Sequence, residues 1–322
     1  MQATRRGLAA LGLALAAMPA QAGGFPDRPV RLVVPFPPGG PVDTAARIMA
    51  QALTGPLGQS VVVENRSGAG GMIGVDAVAK SAPDGYTIAF ASTGAVAVNV
   101  SLVSNISYDT LRDFAPVAIL TATPSVLAVR PEGPPNLGAL LARARREPGK
   151  LTFASTGPGG TPHLAAELLK LRAGVDLTHV AYRGAAPTIT AMLAGEVDMT
   201  FLDLPVLLPV IREGKLKPLF ITAEERSPLL PEVPTAVEAG VPGVLVENWY
   251  CMLAPAATPR DHITRLAWAV RDVLALDGPT ARRFAEMGSR IVRAGPEVAT
   301  EFIRAEIGKW AEVIRTANIR LD

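Results

Sequence analysis

The sequence predicts an α/β protein of two similarly built lobes, each a mixed, mostly parallel sheet flanked by helices. Three observations carry this. Short apolar runs alternate with helix-patterned stretches along the chain, a rhythm that gives parallel strands joined by right-handed crossovers. A strand–glycine loop–helix unit occurs twice, about 120 residues apart, a spacing too long for a solenoid repeat. The length of 322 residues, 49% apolar and only 19% charged, supplies one large core or two smaller ones and is too apolar for a disordered chain.

In chain order, residues 30–35 (VRLVVP) are a short apolar run bounded by prolines and read as a buried strand. Residues 45–53 form an amphipathic helix closed by Gly55 or Gly58, residues 61–64 a strand, and residues 72–80 a helix ended by the turn cluster Ser81-Ala82-Pro83-Asp84-Gly85. Residues 86–92 are a strand, and residues 117–129 hold two further extended pieces. A helix over 137–146 carries arginines in its last turn, matching the helix dipole. Strand 151–155, helix 164–172 with Gly174 past its end, strand 175–182, helix 186–193 and strand 197–202 follow. Strands at 219–223 and 246–253 come next, then helices at about 261–275, 279–287 and 297–316.

The internal echo is specific. Val33-Val34-Pro35-Phe36-Pro37-Pro38-Gly39-Gly40-Pro41-Val42-Asp43 has the same plan as Phe153-Ala154-Ser155-Thr156-Gly157-Pro158-Gly159-Gly160-Thr161-Pro162-His163. Each leads into an alanine-containing amphipathic helix. The next units also correspond, with Asn65-Arg66-Ser67-Gly68 opening one helix and Tyr182-Arg183-Gly184 opening the other.

The chain ends refine the picture. Residues 1–22 start with Arg5-Arg6, continue through a short apolar run and end in Ala20-Gln21-Ala22. This is the pattern of a cleavable secretory signal, with cleavage after Ala22 and export to the periplasm; a buried N-terminal helix is the alternative. Thr4-Arg5-Arg6 loosely resembles a twin-arginine signal, so the general and twin-arginine routes both stay open. The formal charge of +2 belongs to this segment. Without it the chain has 29 basic and 29 acidic residues. No basic excess exists to neutralise phosphates, which excludes nucleic acid as the main partner, and 5% aromatics leave little for a stacking platform. The lone Cys251, in an apolar strand pattern, reads as a buried residue rather than a thiol nucleophile.

The two glycine loops are the candidate site. In open parallel sheets ligands bind at the carboxyl ends of strands, beside the following helix starts. There the first-turn N–H groups are unpaired and the dipole is positive, and glycine lets the backbone approach a ligand. Pro41 and Pro162 sit where a missing N–H costs nothing, and Asp43 in the first turn is placed to cap free N–H groups. Each loop is thus either a neutral anion cradle or an ordinary βα turn. No phosphate loop, nucleophile elbow, HExxH helix or metal-ligand spacing occurs, and Gly68-Ala69-Gly70-Gly71-Met72-Ile73-Gly74 departs from the dinucleotide spacing. No cofactor, metal or catalytic residue is therefore expected. His163 is either a loop or ligand contact or a helix-start residue satisfied by backbone; His179 is a strand residue and His262 a solvated one. Asp203, ending an apolar strand, either meets an ammonium or hydroxyl of a ligand or caps the turn at Pro205. Tyr182 and Arg183 end another strand at that level, Arg183 facing a carboxylate or a surface acid. Phe36 either covers an apolar ligand body or joins the core.

In order, the motifs P-x-x-P-G-G-x-x-D (Pro35 to Asp43), V-E-N-R-x-G-A-x-G (Val63 to Gly71), P-D-G-Y-T (Pro83 to Thr87), D-F-A-P-V (Asp113 to Val117), H-V-x-Y-[KR]-G (His179 to Gly184), G-x-V-D-M-x-F-x-D (Gly195 to Asp203) and G-K-L-[RK]-x-L (Gly214 to Leu219) run along the chain, with Lys309-Trp310 in the last helix. This series resembles the substrate-binding proteins of tripartite tricarboxylate transporters, the Bug-type or TctC-like receptors, from Phe25 to Ile319. The resemblance implies a periplasmic, non-enzymatic, two-lobed "Venus flytrap" that closes on a small carboxylate and delivers it to inner-membrane permease subunits, with no nucleic-acid partner and a monomeric chain. It implies ligand contacts from Phe36, Pro38, Gly39, Gly40 and Asp43, from Ser92 and Thr93, and from Thr156, Gly157, Gly160, Thr161 and His163, with Asp203 by position; Tyr182 and Arg183 complete the candidate set from their place at the end of a strand. Lobe 1 is read as residues 23–123 plus 248–322 and lobe 2 as 124–247, with hinges near 122–125 and 246–249. The sequence departs from the family's usual G-x-G-S-x-x-H at Gly157-Pro158-Gly159-Gly160-Thr161-Pro162-His163, and from its H-A-x-N-P-x-L at residues 95–102. An extracytoplasmic sensor with the same pocket, and a periplasmic enzyme, are the alternatives.

Overall fold

A computed structural model describes residues 24–320, and the signal reading of residues 1–22 lies outside them. The first βαβαβ unit is β1 (Val30–Val34), α1 (Pro41–Leu57), β2 (Val61–Asn65), α2 (Met72–Ala79) and β3 (Thr87–Ser92). A π-helical turn (Gly94–Val98) and the short helices α3 (Asn99–Leu102) and α4 (Thr110–Asp113) lead to β4, Phe114–Val129. The second unit is α5 (Leu137–Arg146), β5 (Thr152–Ser155), α6 (Thr161–Ala173), β6 (Thr178–Ala181), α7 (Ala185–Ala194) and β7 (Met199–Asp203). Then come α8 (Leu204–Arg212), β8 (Lys217–Ile221), β9 (Glu247–Pro255), α9 (Arg260–Val273), α10 (Pro279–Glu286), β10 (Arg290–Ala294) and α11 (Pro296–Thr316).

The architecture is the two-lobed α/β plan. The strands follow the path β2-β1-β3-β9-β4-β7-β5-β6, with β10 and β8 both on β4. Parallel pairing joins β2, β1 and β3, and again β6, β5 and β7. The remaining pairings, all to β4 or β9, are antiparallel. β4 is one strand of 16 residues where the sequence indicates two pieces. Its first part, to Pro124, pairs with β9, and from Ser125 onward it pairs with β7. A single long strand therefore belongs to both halves of the sheet.

Alternation along the strands sorts the core. Val30, Leu32 and Val34 face α1, α9 and α10, while Val33 turns to the other side with Val75, Trp249 and Trp310. In the second half Val126 and Ala128 pack under α7 and α8, and Leu127 and Val129 join the opposite layer with α5 and α6. Both halves are thus sheets covered on both faces, the arrangement that makes strands read as continuous apolar runs. α11 lies behind the junction. Its Glu306 accepts Trp249 Nε1–H at 2.9 Å and Trp310 Nε1–H at 3.1 Å, and pairs with Lys309, which reaches Leu245 O at 3.1 Å.

Some boundaries moved. α1 starts at Pro41, ends at Leu57 and is closed by Gly58, whose φ of +69° is the left-handed closing conformation. α8 and β10 had no counterpart in the sequence reading. α8 carries Pro205 in its first turn and Pro209 inside, four residues apart, so two apparent breakers sit within one helix. His262, read as solvated, stacks on Phe25 at 3.9 Å and meets Asp84 O at 3.0 Å. Cys251 is buried in β9, and burial pushes its thiol pKa up, as its apolar setting indicates.

Candidate functional site

Strand direction decides where the loops go. β3 and the first part of β4 both run antiparallel to β9, so their carboxyl ends point toward the crossing at Pro124–Ser125. On the far side, Asp203 at the end of β7 pairs with Ser125. With β1 parallel to β3, and β5 and β6 parallel to β7, the carboxyl ends of both βαβαβ units face the same crossing. The two glycine loops follow β1 and β5, so the fold brings both to the end of the sheet that faces this crossing.

Loop one runs from Phe36 to Gly40. Gly39 takes φ +81°, a left-handed conformation that a side chain disfavours. Gly40 precedes α1 in ordinary extended geometry (φ −75°, ψ 171°). Asp43 in the first turn is buried, and its carboxylate is fully engaged. Oδ2 accepts Gly39 N–H at 2.9 Å and Arg47 Nε–H at 2.9 Å, and Oδ1 accepts Asn65 Nδ2–H at 2.8 Å. The Arg47 bond is the main reason its pKa is held down to about 2. Asp43 therefore shapes the loop from behind. Phe36 is half-buried against both core layers and lies over Gly71, where a Cβ would come within 3.1 Å of its ring. Pro38 is exposed at the tip.

Loop two has the same construction with different chemistry. Gly159 takes φ +71°, Gly160 precedes α6 in extended geometry (φ −69°, ψ 158°), and Gly159 N–H donates to His163 Nδ1 at 3.0 Å. The imidazole is buried, and burial, aided by His179 and Lys170, lowers its pKa to about 4. His163 stacks on His179 at 3.9 Å, which stacks on Phe153 at 4.8 Å. His179 Nε2 lies 2.6 Å from Ser155 Oγ. Thr156 Oγ1 lies beside Gly160, where a Cβ would approach it to 3.2 Å. Thr161 opens α6, and Gly157 takes φ +135°. Neither loop itself contains a lysine or arginine, and each leads into the positive end of a helix.

The other candidates divide. Ser92 ends β3, opposite Tyr250, at the edge of the crossing. Thr93 is fully buried, with Oγ1 accepting Trp249 N–H at 2.8 Å and lying 3.3 Å from the carbonyls of Glu247 and Trp249, so it ties the π-helical turn to β9. Tyr182 turns away; its ring joins the α7–α8 core and its hydroxyl reaches Glu196 at 3.3 Å. Arg183 is exposed beside Gly184, just before α7. Asp203 precedes α8 without capping it. Its carboxylate accepts Ser125 Oγ–H and Asn248 Nδ2–H, both at 3.2 Å, and burial pushes its pKa up to about 6. Ser125 and Asn248 had no local signal, since they stand 78 and 45 residues from Asp203. Asn65 did carry one, as the asparagine of the V-E-N-R motif. A depression of about 600 Å³ beside Trp268, Arg271 and Arg293 lies between α9 and the start of α11 and includes none of these groups.

The sequence profile described as "Tripartite tricarboxylate transporter family receptor" matches residues 45–319. The chain belongs to this receptor family. Among its relatives, Protein BugT of Bordetella pertussis is 38% identical over 320 residues, 98% of each chain. MatC from Rhodopseudomonas palustris, solved with bound malate, is 36% identical, with a TM-score of 0.73 over 90% of this chain and 100% of that one. A second R. palustris protein, solved with adipate, is 36% identical, with a TM-score of 0.76 over 92% of this chain and 99% of that one. Solved neighbours 33% and 26% identical to this chain are the periplasmic binding protein BugD and a TctC solute binding protein from Polaromonas, with TM-scores of 0.73 and 0.81. Among the described residues of this receptor, no helix is long and apolar enough to cross a membrane.

Proposed function

We propose that this receptor captures a small carboxylate in the cleft between its two glycine loops and delivers it to the permease subunits of a tripartite tricarboxylate-type transporter. The supporting observation is the pair of matched loop–helix starts on opposite sides of the β4–β9 crossing. Each presents backbone N–H groups and a positive helix end, the chemistry that holds a carboxylate without a basic side chain. The malate and adipate in the two R. palustris structures support the same ligand class.

On this reading the direct contacts come from Pro38, Gly39, Gly40, Ser92, Thr156, Gly157, Gly160 and Thr161, with Arg183 and Asp203 at the rim and floor. Asp43, His163, Thr93, Phe36 and Tyr182 support the site from behind. Lobe 1 is residues 23–123 plus 248–322 and lobe 2 is 124–247, hinged where β4 and β9 cross. The chain works in the periplasm after losing residues 1–22. A thermal-shift screen across mono- and dicarboxylates tests the ligand class. The expected result is stabilisation by at least one of them; stabilisation by sugars or cations alone contradicts it.

A further inference from the structure

Asp43 and His163 occupy the same place in two copies of one device. Each is the third residue of the helix that follows its loop, and each accepts the N–H of the left-handed glycine four residues earlier, at 2.9 and 3.0 Å. Both side chains are buried. A first-turn side chain that reaches back to an N–H before the helix fixes the entry of the chain. In these loops it also fixes which way the amides of the following glycine and first turn face.

We infer that Asp43 and His163 are matched positioning residues that hold the two glycine loops in their ligand-receiving shape, and that the imidazole makes loop two alone sensitive to acid. The inference rests on the carboxylate-receptor reading only for its effect on affinity. The clamp itself stands on geometry.

The chemical difference lies in what a proton does. Nδ1 of His163 can accept the Gly159 N–H only while it carries no hydrogen, which places the ring proton on Nε2, 3.8 Å from Glu167 Oε1. A proton added at Nδ1 sets two donors against each other. The groups facing the ring are Glu167 and Lys170 on α6, His179 on β6 and the Phe153 ring behind it, with Asp176 paired to Lys170 at 3.8 Å. Lys170 and a protonated His179 both oppose a second charge. The clamp of loop one stays ionised to about pH 2 because Arg47 neutralises it. That of loop two titrates near pH 4. In the interval between, loop one keeps its shape and loop two loses its acceptor.

Two measurements on the full chain decide this. Amide hydrogen exchange followed by NMR, without ligand, reads each clamp separately. Gly159 protection is expected to fall about twofold relative to Gly39 between pH 6.5 and pH 4, where His163 is half protonated. His163→Ala should lower Gly159 protection about tenfold and leave Gly39 unchanged. His163→Asn, whose Oδ1 stands where Nδ1 stood, should restore it and remove the pH dependence. Calorimetry with malate and adipate as probes reads the consequence. His163→Ala should weaken whichever probe binds about tenfold, and His163→Asn should recover it to within about threefold with a flat profile from pH 6.5 to 4. Wild-type protection of Gly159 in His163→Ala, or an unchanged pH decline in His163→Asn, overturns the inference. If neither probe binds the wild type, the receptor reading loses its support while the exchange measurement still decides the clamp.

Discussion

Asp203 is the residue whose environment is most at odds with its charge. It joins three strands at the crossing, β7 through its own backbone, β4 through Ser125 and β9 through Asn248. Two neutral donors replace water around a carboxylate whose pKa is pushed up to about 6 by burial. The folded protein then binds the proton more tightly than the unfolded chain, so stability is highest below the unfolded pKa and falls as pH rises through 6. Over about two pK units this costs about 3 kcal/mol at neutral pH. Asp203→Asn keeps the Ser125 bond, allows the Asn248 amide to turn, and removes the charge. It should raise stability by about 3 kcal/mol at pH 7.5 and change it little at pH 4, measured by urea unfolding. A loss of stability at pH 7.5 would mean that the charge is stabilising. The same variant should weaken ligands that carry a hydroxyl or amine more than plain acids, measured by calorimetry; an equal effect on both classes would make Asp203 a purely structural acid.

The crossing of β4 and β9 is held by backbone pairing and, besides the Asp203 carboxylate, by the hydroxyl of Thr222. Thr222, just after β8, is fully buried, and its hydroxyl accepts Ser125 N–H at 2.9 Å while facing the carbonyls of Ser125 and Val246. Thr222→Val should cost about 1 kcal/mol in urea unfolding, because the hydroxyl bonds are lost while Ser125 N–H keeps Val246 O at 3.3 Å and Ser125 O keeps Thr222 N–H at 2.9 Å; a cost of about 3 kcal/mol or more would mean that these backbone pairs do not hold without the hydroxyl. This element was only partly legible in the sequence. The βαβαβ units could be read because each strand and helix announces itself within a few residues, through apolar runs, glycine loops and closing glycines such as Gly58 and Gly174. The antiparallel pairing of β4 with β9 joins Phe114 to Pro255, and no local pattern encodes it. The strand was read as two pieces from residue 117 onward, although Pro116 and Pro124 both lie within its pairing to β9. In the site, the glycine loops and Asp203 were readable as types in position. What each side chain faces was not, because Asp43, His163 and Thr93 find their partners only in the folded chain.

At the scale of the whole molecule, the formal excess of +2 lies in residues 1–22, and the rest of the sequence carries equal numbers of acids and bases. Attraction for an anion must then come from local dipoles rather than from the global field. A ligand that touches loops from both βαβαβ units favours the closed arrangement over the open one by the difference in contacts it makes. The radius of gyration measured by small-angle scattering should therefore fall when a bound carboxylate is added; an unchanged value would mean that the ligand touches one lobe only. On the proposed function both glycine loops receive the ligand. Gly40 has ordinary extended geometry, and a Cβ there meets only Pro37 O at 3.6 Å, so Gly40→Val is tolerated by the fold. At Gly160 the Thr156 hydroxyl, 3.2 Å from the added Cβ, must yield slightly. Calorimetric titration of Gly40→Val and Gly160→Val with the best carboxylate tests the claim most directly. Each substitution alone should weaken binding by about a hundredfold or more while the melting temperature stays close to that of the wild type. Wild-type affinity in either variant would contradict the account and reduce that loop to a turn.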